Sequence, residues 1–261
     1  MIPKKIHYCW YGGGPQSDLI QKCIASWKKI LPNYEIICWD ESNTPFDSIP
    51  VLKTMYKNKK WSFISDYIRF YALYHFGGVY LDTDIEMIKP FGDLMQEEAF
   101  IGFQTEIGQS KFLSNAAVMG SISTGSFVKH CLKATESKQR LKFNQIGGPA
   151  IVSDYFVLSR VTKHQNQYVG QVKLLTKDYF YPFYHRIESF SKDCITPNTV
   201  CIHWWADSWS EKKRTLSYKV NSALSKAKRI PQMTIDWLKF VCTPSLFYQG
   251  LKYKPHNGRK I

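Results

Sequence analysis

The fold of this chain is decided by residues 65–84, which read SDYIRFYALYHFGGVYLDTD. We expect a helix to cover roughly Trp61 to Phe76 and to end at Gly77, because glycine readily takes the left-handed conformation that ends many helices. The apolar run 79–81 then predicts a short buried strand. Asp82 and Asp84 follow that strand directly, so the stretch places two carboxylates at the end of a helix–strand unit.

The residues before this stretch predict a strand, a helix and a second strand within 40 positions. The first strand covers residues 6–10, and a helix follows Ser17 with apolar side chains at i, i+3 and i+4 spacing. Residues 34–39 form the second strand, so this segment predicts a βαβ unit and a parallel sheet. Further strands are predicted near residues 99–103, 115–119, 172–175 and 199–203, with helices near 125–138 and 149–158. The predicted fold class is α/β.

The net charge of +14 over 261 residues is concentrated at the C-terminal end. Residues 211–261 contain twelve Lys and Arg against Glu211 and Asp236, which gives +10, while residues 1–210 carry only +4. We therefore expect a catalytic domain over residues 1–210 and a basic, aromatic-rich helical extension over residues 211–261. Cations interleaved with aromatic residues are typical of a segment at an anionic membrane surface. Packing of the extension on the catalytic domain is the alternative, and no nucleic-acid-binding module accompanies the charge.

Other features exclude several classes of protein. No run of about 18 apolar residues predicts a membrane-spanning helix, and the first residues lack the apolar stretch of a signal peptide. The seven cysteines are scattered without a CxxC pair, which argues against a zinc or redox site. We expect a cytoplasmic protein, peripheral on the inner face of the cell membrane.

Asp82 and Asp84 are candidate ligands for a metal ion. Residues two apart on an extended backbone face the same way, so both carboxylates could point at one ligand. Oxygen ligands at the carboxyl end of a buried strand suit Mg²⁺ or Mn²⁺. Aspartates that merely cap a turn are the alternative, and a metal-dependent phosphatase site can also begin with such a pair.

Asp66 and Arg69 lie three residues apart on the predicted helix and share one face. A surface ion pair would contribute only a few tenths of a kcal/mol. The functional alternative has Asp66 accepting hydrogen bonds from hydroxyl groups while Arg69 holds a hydroxyl or a phosphate.

Five blocks of this sequence together resemble glycosyltransferase family 32, which is related to the glucosylating domains of clostridial toxins. The blocks are residues 6–13 (IHYCWYGG), the Ser65-Asp66-x-x-Arg69 group, residues 77–84 (GGVYLDTD), residues 147–149 (GGP) and residues 202–209 (IHWWADSW). The resemblance implies a GT-A fold, with a single Rossmann-like domain around a mixed, mostly parallel sheet. It also implies a nucleotide-sugar donor, a divalent metal and transfer with retention at the anomeric carbon.

The resemblance also implies roles for individual residues. Trp10 would stack on the nucleobase, and Asp66 and Arg69 would hold hydroxyl groups of the donor sugar and the ribose. Asp82 would face the ribose and the metal, and Asp84 would bind the metal directly.

Further candidate site residues follow Asp84 in the sequence. His203 could complete the metal shell, although a histidine beside two tryptophans is more often a core residue. Ser208 and Trp209 could hydrogen-bond the pyrophosphate, and Asn115 could lie under the donor sugar. Gly148 could present its N–H to the donor or acceptor at a helix start, with a plain turn as the alternative.

The resemblance thus implies a retaining hexosyltransferase that uses Mn²⁺ or Mg²⁺ and a nucleotide sugar, for which UDP is the expected nucleotide. The acceptor would be a glycan, lipid-linked, in the synthesis of bacterial capsule or surface polysaccharide. Asp66, Asp84 and Asn115 are the predicted catalytic residues. A non-catalytic protein that binds membrane or glycan on the same fold is the alternative.

Overall fold

The computed structural model describes residues 1–110, 112–139, 147–186 and 188–206. Within these ranges, residues Met1–Ala206 form one compact unit. The helices are α1 (Asp18–Ile30), α2 (Pro50–Lys57), α3 (Trp61–Phe76), α4 (Ser126–Gln139) and α5 (Gly148–Leu158). The strands are β1 (Lys5–Cys9), β2 (Glu35–Trp39), β3 (Gly78–Leu81), β4 (Ile85–Met87), β5 (Ala99–Gly102), β6 (Val118–Ser121), β7 (Gln167–Val169), β8 (Val172–Leu175) and β9 (Cys201–His203).

A seven-stranded sheet with the order β2-β1-β3-β6-β5-β8-β7 forms the centre of the fold. β1 pairs in parallel with both β2 and β3, and β5 pairs in parallel with β8. The pairs β3–β6, β5–β6 and β7–β8 are antiparallel, so only β6 and β7 run against the other five strands. The predicted α/β architecture with a mixed and mostly parallel sheet is confirmed.

The predicted βαβ unit at the N-terminal end is also confirmed. Ser17 caps α1 by accepting a hydrogen bond from the backbone N–H of Ile20. The apolar face of the helix buries Ile20, Cys23, Ile24 and Trp27. Trp27 donates its indole N–H to the carbonyl of Ile85 at 2.6 Å, which ties α1 to the segment after β3.

The junction between α3 and β3 requires two glycines. Gly77 and Gly78 both have positive φ angles, 61° and 107°. A Cβ atom on Gly77 would lie 2.7 Å from the backbone nitrogen of Ser123, and one on Gly78 would lie 2.7 Å from the carbonyl of Lys5. Backbone conformation and close packing therefore both exclude a side chain here. The helix runs from Trp61 to Phe76, as the sequence predicted.

Strand prediction was less accurate around residue 115. A strand over residues 115–119 was predicted, but β6 begins at Val118. Ala116 has a φ of 62°, and the side-chain oxygen of Asn115 accepts a hydrogen bond from the N–H of Ala117. This local turn competes with an extended backbone and delays the strand.

Two apolar cores lie on the two faces of the sheet. One combines buried side chains of α2, α3, α4 and α5 with strand residues such as Tyr80 and Met119. The other combines α1, β4 and β9 with strand residues such as Val79 and Leu81. β4 and β9 form a separate two-stranded antiparallel sheet. The predicted last strand, 199–203, is therefore shorter than expected and lies outside the main sheet.

The predicted C-terminal extension, residues 211–261, lies outside the described residues, as do Ser208 and Trp209. Its helical character and the domain boundary at residue 210 stay predictions. Among the described residues, no helix combines the length and the apolar character that crossing a bilayer requires.

Candidate active site

The candidate site lies where β3 ends. Asp82 follows the last residue of β3, and its carbonyl accepts a hydrogen bond from Ile85 N–H at 3.1 Å. The backbone of Asp82 to Asp84 therefore forms a turn. The prediction of an extended conformation for these residues is wrong. The turn leads the chain directly into β4, which pairs with β9 and sets Ile85 opposite His203.

Three possible metal ligands meet at this turn. Side-chain atoms of Asp82, Asp84 and His203 all lie within 4.8 Å of one another. Two carboxylates and an imidazole are a donor set that suits Mn²⁺ or Mg²⁺. Asp84 and His203 are buried, whereas the side chain of Asp82 is 31% exposed, so the cluster has one open side. These residues fit a divalent cation, and their ligand roles stay predictions.

Asp84 is held in place by the segment that follows β9. One carboxylate oxygen lies 3.3 Å from Nε2 of His203, and the other accepts the backbone N–H of Ala206 at 2.7 Å. The carbonyl of Asp84 accepts a further hydrogen bond from the N–H of Trp204 at 3.0 Å. Burial alone would raise the pKa of Asp84, but His203 and the Ala206 N–H lower it below its usual value. Asp84 is therefore ionised at neutral pH.

Asn115 contacts the other nitrogen of the His203 ring. Its Nδ2 atom lies 3.1 Å from His203 Nδ1, while its Oδ1 atom accepts the N–H of Ala117 at 3.0 Å. The second bond fixes the orientation of the amide, so the amide N–H donates to Nδ1. Asn115 thus orients the ring of His203, and its predicted contact with the donor sugar stays a prediction.

Arg69 lies at the centre of a buried charge network. Its Nη2 atom lies 3.0 Å from Asp66 Oδ1 and 3.4 Å from Asp82 Oδ1, and Nη1 donates to the carbonyl of Ala116 at 2.7 Å. Its guanidinium carbon also lies 4.6 Å from the centre of the Tyr80 ring. The side chain of Arg69 is only 6% exposed, so the surface-ion-pair alternative is wrong. Burial would lower the pKa of Arg69, but Asp82, Tyr80 and Asp66 raise it, and the guanidinium stays charged.

Asp66 connects this network to the start of α5. Its carboxylate accepts the backbone N–H of Gly148, one of the donors left free at a helix N-terminus. A Cβ atom on Gly148 would lie 2.7 Å from Asp66 Oδ1, and one on Gly147 would lie 3.0 Å from Oδ2. Burial raises the pKa of Asp66, while Arg69 and the Gly148 N–H act in the opposite direction. The N–H of Gly148 therefore faces Asp66, and its donor-binding role stays a prediction.

Trp10 follows β1 at the same edge of the sheet, because β1 and β3 are parallel. Its ring is half-buried, and its indole N–H donates to the carbonyl of Gly14 at 2.9 Å. Its backbone N–H donates to the carbonyl of Trp39, which fixes the start of the loop. The ring is thus held at the edge that carries Asp82, and stacking on a nucleobase stays a prediction.

Glu86 has a structural role that no sequence pattern indicated. This carboxylate accepts the indole N–H of Trp204 at 2.8 Å and pairs with Lys22 at 3.0 Å. Because Trp204 is the neighbour of His203, Glu86 anchors the strand that carries the imidazole. The partners are 118 residues apart, and no sequence spacing could have linked them.

One family model and two curated yeast proteins are similar to parts of this chain. Residues 17–101 match the family model described as a glycosyltransferase sugar-binding region containing a DXD motif. Inositol phosphoceramide mannosyltransferase 3 of Schizosaccharomyces pombe is 29% identical over 107 residues, which are 38% of this chain and 29% of that protein. Mannosyl phosphorylinositol ceramide synthase SUR1 of Saccharomyces cerevisiae is 27% identical over 212 residues, which are 75% of this chain and 50% of that protein.

Solved structures of glycosyltransferases are also similar. The glycosyltransferase GlyE of Streptococcus pneumoniae is 13% identical, with a TM-score of 0.48 over 88% of this chain and 65% of that chain. The PaToxG glycosyltransferase is 20% identical, with a TM-score of 0.46 over 59% of this chain and 68% of that chain.

The chain spans half or less of the length of the two yeast relatives. The matched region, residues 17–101, includes Asp66, Arg69 and the sequence Asp82-Thr83-Asp84. Residues 17–101 of this chain are therefore similar to a glycosyltransferase sugar-binding region containing a DXD motif.

Proposed function

We propose that this chain is a metal-dependent glycosyltransferase that moves a hexosyl unit from a nucleotide sugar to a glycan acceptor. The observation that carries the proposal is the meeting of Asp82, Asp84 and His203 beside the buried pair of Asp66 and Arg69. The three residues Asp82, Asp84 and His203 offer ligands for a divalent cation. The buried pair offers a hydrogen-bond acceptor and a hydrogen-bond donor for hydroxyl groups. The match of residues 17–101 to a sugar-binding family supports the same conclusion.

Asp82, Asp84 and His203 would hold Mn²⁺ or Mg²⁺ on the open side of their cluster. A bound divalent cation would stabilise the negative charge that develops on the leaving nucleoside diphosphate. Arg69 orients Asp82 through the 3.4 Å contact between Nη2 and Oδ1, so its position affects both the metal ligands and the donor. In this proposal Trp10 stacks on the base, and Ser208 and Trp209 hydrogen-bond the diphosphate.

Transfer with retention would follow from front-face attack by the acceptor hydroxyl. Asp66 is a poor covalent nucleophile, because Arg69 and the N–H of Gly148 already engage its carboxylate. Its charge can instead stabilise the positive charge that develops at the anomeric carbon, and Asn115 would lie under the sugar. The anomeric configuration of the product, read by NMR, tests this step, and a trapped glycosyl-enzyme adduct would refute it.

The finer parts of the proposal concern donor, acceptor and place of action. The yeast relatives are named as an inositol phosphoceramide mannosyltransferase and a mannosyl phosphorylinositol ceramide synthase, which supports a hexosyl donor and a lipid-linked acceptor. We retain UDP as the expected nucleotide and bacterial capsule or surface-glycan synthesis as the expected pathway. The protein would work in the cytoplasm at the inner face of the cell membrane, with residues 211–261 contacting anionic lipid.

A screen of UDP- and GDP-hexoses with Mn²⁺ tests the proposal through release of the nucleoside diphosphate. Wild type should hydrolyse or transfer at least one donor, and Asp84→Ala should lower that rate by about 100-fold or more, the scale expected for loss of a charge-stabilising group. EDTA should abolish the reaction, and Mn²⁺ should restore it. Equal rates for wild type and Asp84→Ala on every donor would contradict the proposal.

The rival function, a non-catalytic membrane- or glycan-binding protein, predicts binding without turnover. The same screen separates the two, because such a protein would release no nucleoside diphosphate. A metal-dependent phosphatase would instead release inorganic phosphate, which a phosphate assay on the same samples detects.

A further inference from the structure

The segment after β8 passes along the side of the candidate metal site. The hydroxyl of Tyr181 accepts a hydrogen bond from Val118 N–H at 3.1 Å, and its ring centre lies 5.7 Å from that of His203. Two residues later, the carbonyl of Phe183 accepts the indole N–H of Trp205 at 3.0 Å. These bonds fix the segment next to the residues that follow β9.

The rings of His203, Trp205 and His185 form a series that runs from the candidate metal site to the surface. The ring centre of Trp205 lies 4.0 Å from that of His203 and 5.1 Å from that of His185. Trp205 has a φ of 56°, a conformation that costs a non-glycine residue about 1 kcal/mol or more. Its indole hydrogen bond and ring contacts hold it in that conformation. His185 is thus fixed at the outer end of a series that begins at a predicted metal ligand.

The outer end of this series is exposed and positively charged. His185 and the next residue, Arg186, are both exposed, whereas His203 is buried. Within the described part of the chain, no carboxylate lies within ion-pair distance of Arg186. Asp84 and His203 are close enough for their charges to act on the His185 ring. Arg186 therefore adds positive charge near the site, in contrast to Arg69, whose charge is balanced by Asp66 and Asp82.

We propose that His185 and Arg186 bind the diphosphate of the nucleotide donor at the rim of the metal site. This inference rests on the proposed function and adds two residues to it. Arginine presents two parallel N–H donors that match phosphate oxygens, and the imidazole adds a further N–H donor. His185 needs no charge for this role, since neutral imidazole carries one N–H.

The role matters most as the donor bond breaks. The bond between the anomeric carbon and the phosphate oxygen breaks, and its electron pair leaves with the diphosphate. The acceptor oxygen forms the new bond to carbon, and its proton passes to a phosphate oxygen. Arg186 would stabilise the charge that accumulates on the diphosphate, which is preorganised electrostatic stabilisation of a leaving group.

Calorimetric titration of UDP and GDP in the presence of Mn²⁺ tests the inference. Arg186→Gln should weaken binding of the preferred diphosphate by about tenfold, the scale of one charge-assisted contact. His185→Gln should weaken it less, and affinity for the matching nucleoside, measured by competition, should stay within about twofold. Arg186→Lys should restore part of the affinity, because it keeps the charge but loses the paired donors.

Lys129→Gln is the matched control. Lys129 is an exposed cation in the first turns of α4. Because β6 runs antiparallel to β3, α4 begins at the edge of the sheet opposite the metal site. This variant should bind the diphosphate as wild type does.

The outcomes separate the inference from the proposed function. If wild type binds a nucleoside diphosphate and Arg186→Gln binds it equally well, the inference is overturned and the proposed function stands. If wild type binds neither UDP nor GDP with Mn²⁺, both fail. A loss of affinity for the nucleoside as large as that for the diphosphate would show a general structural effect and overturn the assignment.

Discussion

Replacing Gly148 with alanine should displace the Asp66 carboxylate while the fold stays intact. The added Cβ would lie 2.7 Å from Asp66 Oδ1 and 3.5 Å from Arg69 Nε. Relief of the first contact needs a shift of about 0.5 Å or more, since nonbonded atoms are most stable at roughly 3.5–4.0 Å. Asp66 would then lose much of its hydrogen bond from the Gly148 N–H and part of its contact with Arg69.

The size of the effect follows from these contacts. A hydrogen bond to a charged group contributes about 1.5–3 kcal/mol. Alanine returns about 0.5–1 kcal/mol through its lower backbone entropy in the unfolded chain. We therefore expect the free energy of unfolding to fall by about 1–2 kcal/mol. Transfer activity should fall by about 100-fold, because misplacing a reacting group by about 1 Å has a cost of that order.

Urea unfolding and nucleoside diphosphate release measure the two effects. Gly14→Ala is the matched control, because a Cβ atom there would have no neighbour within 4 Å and its backbone needs no positive φ. That variant should keep both the stability and the activity of wild type. If Gly148→Ala retains full activity with unchanged stability, the Asp66–Gly148 contact does not position the carboxylate and the reasoning is refuted.

Two further predictions concern histidines. Burial lowers the pKa of His7 to about 4, so between pH 7.5 and 5.0 the unfolded chain gains a proton that the folded chain does not, and stability should fall by about 2 kcal/mol. Urea unfolding at the two pH values should show a smaller loss in His7→Gln, and equal losses would contradict this prediction. Asn115→Asp should strengthen Mn²⁺ binding by about tenfold, because a carboxylate can accept a proton from Nδ1 of His203 and so leave Nε2 free to bind the metal, whereas Asn115→Ala should bind Mn²⁺ at least as tightly as wild type. Calorimetric titration of Mn²⁺ measures both variants, and unchanged affinity in Asn115→Asp would show that the tautomer of His203 does not limit metal binding.

The sequence correctly predicted the elements that depend on residues close together in the chain. The helix that ends at Gly77 follows from glycine chemistry and the apolar pattern, and the cap at Ser17 follows from its hydroxyl. The start of β6 was missed because the side chain of Asn115 bonds the backbone of Ala117 and turns the chain. The sequence around an asparagine in an apolar run does not indicate which hydrogen bond its side chain will make.

The site residues could be predicted from the sequence only in part. Asp82, Asp84 and His203 were singled out as metal ligands, and the structure brings all three together. His185 was missed because it lies 18 residues before His203 and meets it only through the ring of Trp205. Glu86 was missed for the same reason, since its bond to Trp204 depends on the pairing of β4 with β9. Contacts that arise from tertiary packing leave no spacing pattern in the sequence.

The charges of the site explain why these residues fit a divalent cation. Asp66, Asp82 and Asp84 supply three negative charges, and among the described residues the permanent cation within ion-pair distance of them is Arg69. With His203 neutral, the group carries a net charge of −2 in a largely buried setting, where uncompensated charge is costly. A divalent cation on the open side of Asp82 would balance that charge. Arg69 cannot balance this remaining charge, because its guanidinium already pairs with Asp66 and Asp82 and donates to the carbonyl of Ala116. The network therefore orients Asp66 and Asp82, and it leaves a deficit of positive charge at the position where a metal would bind.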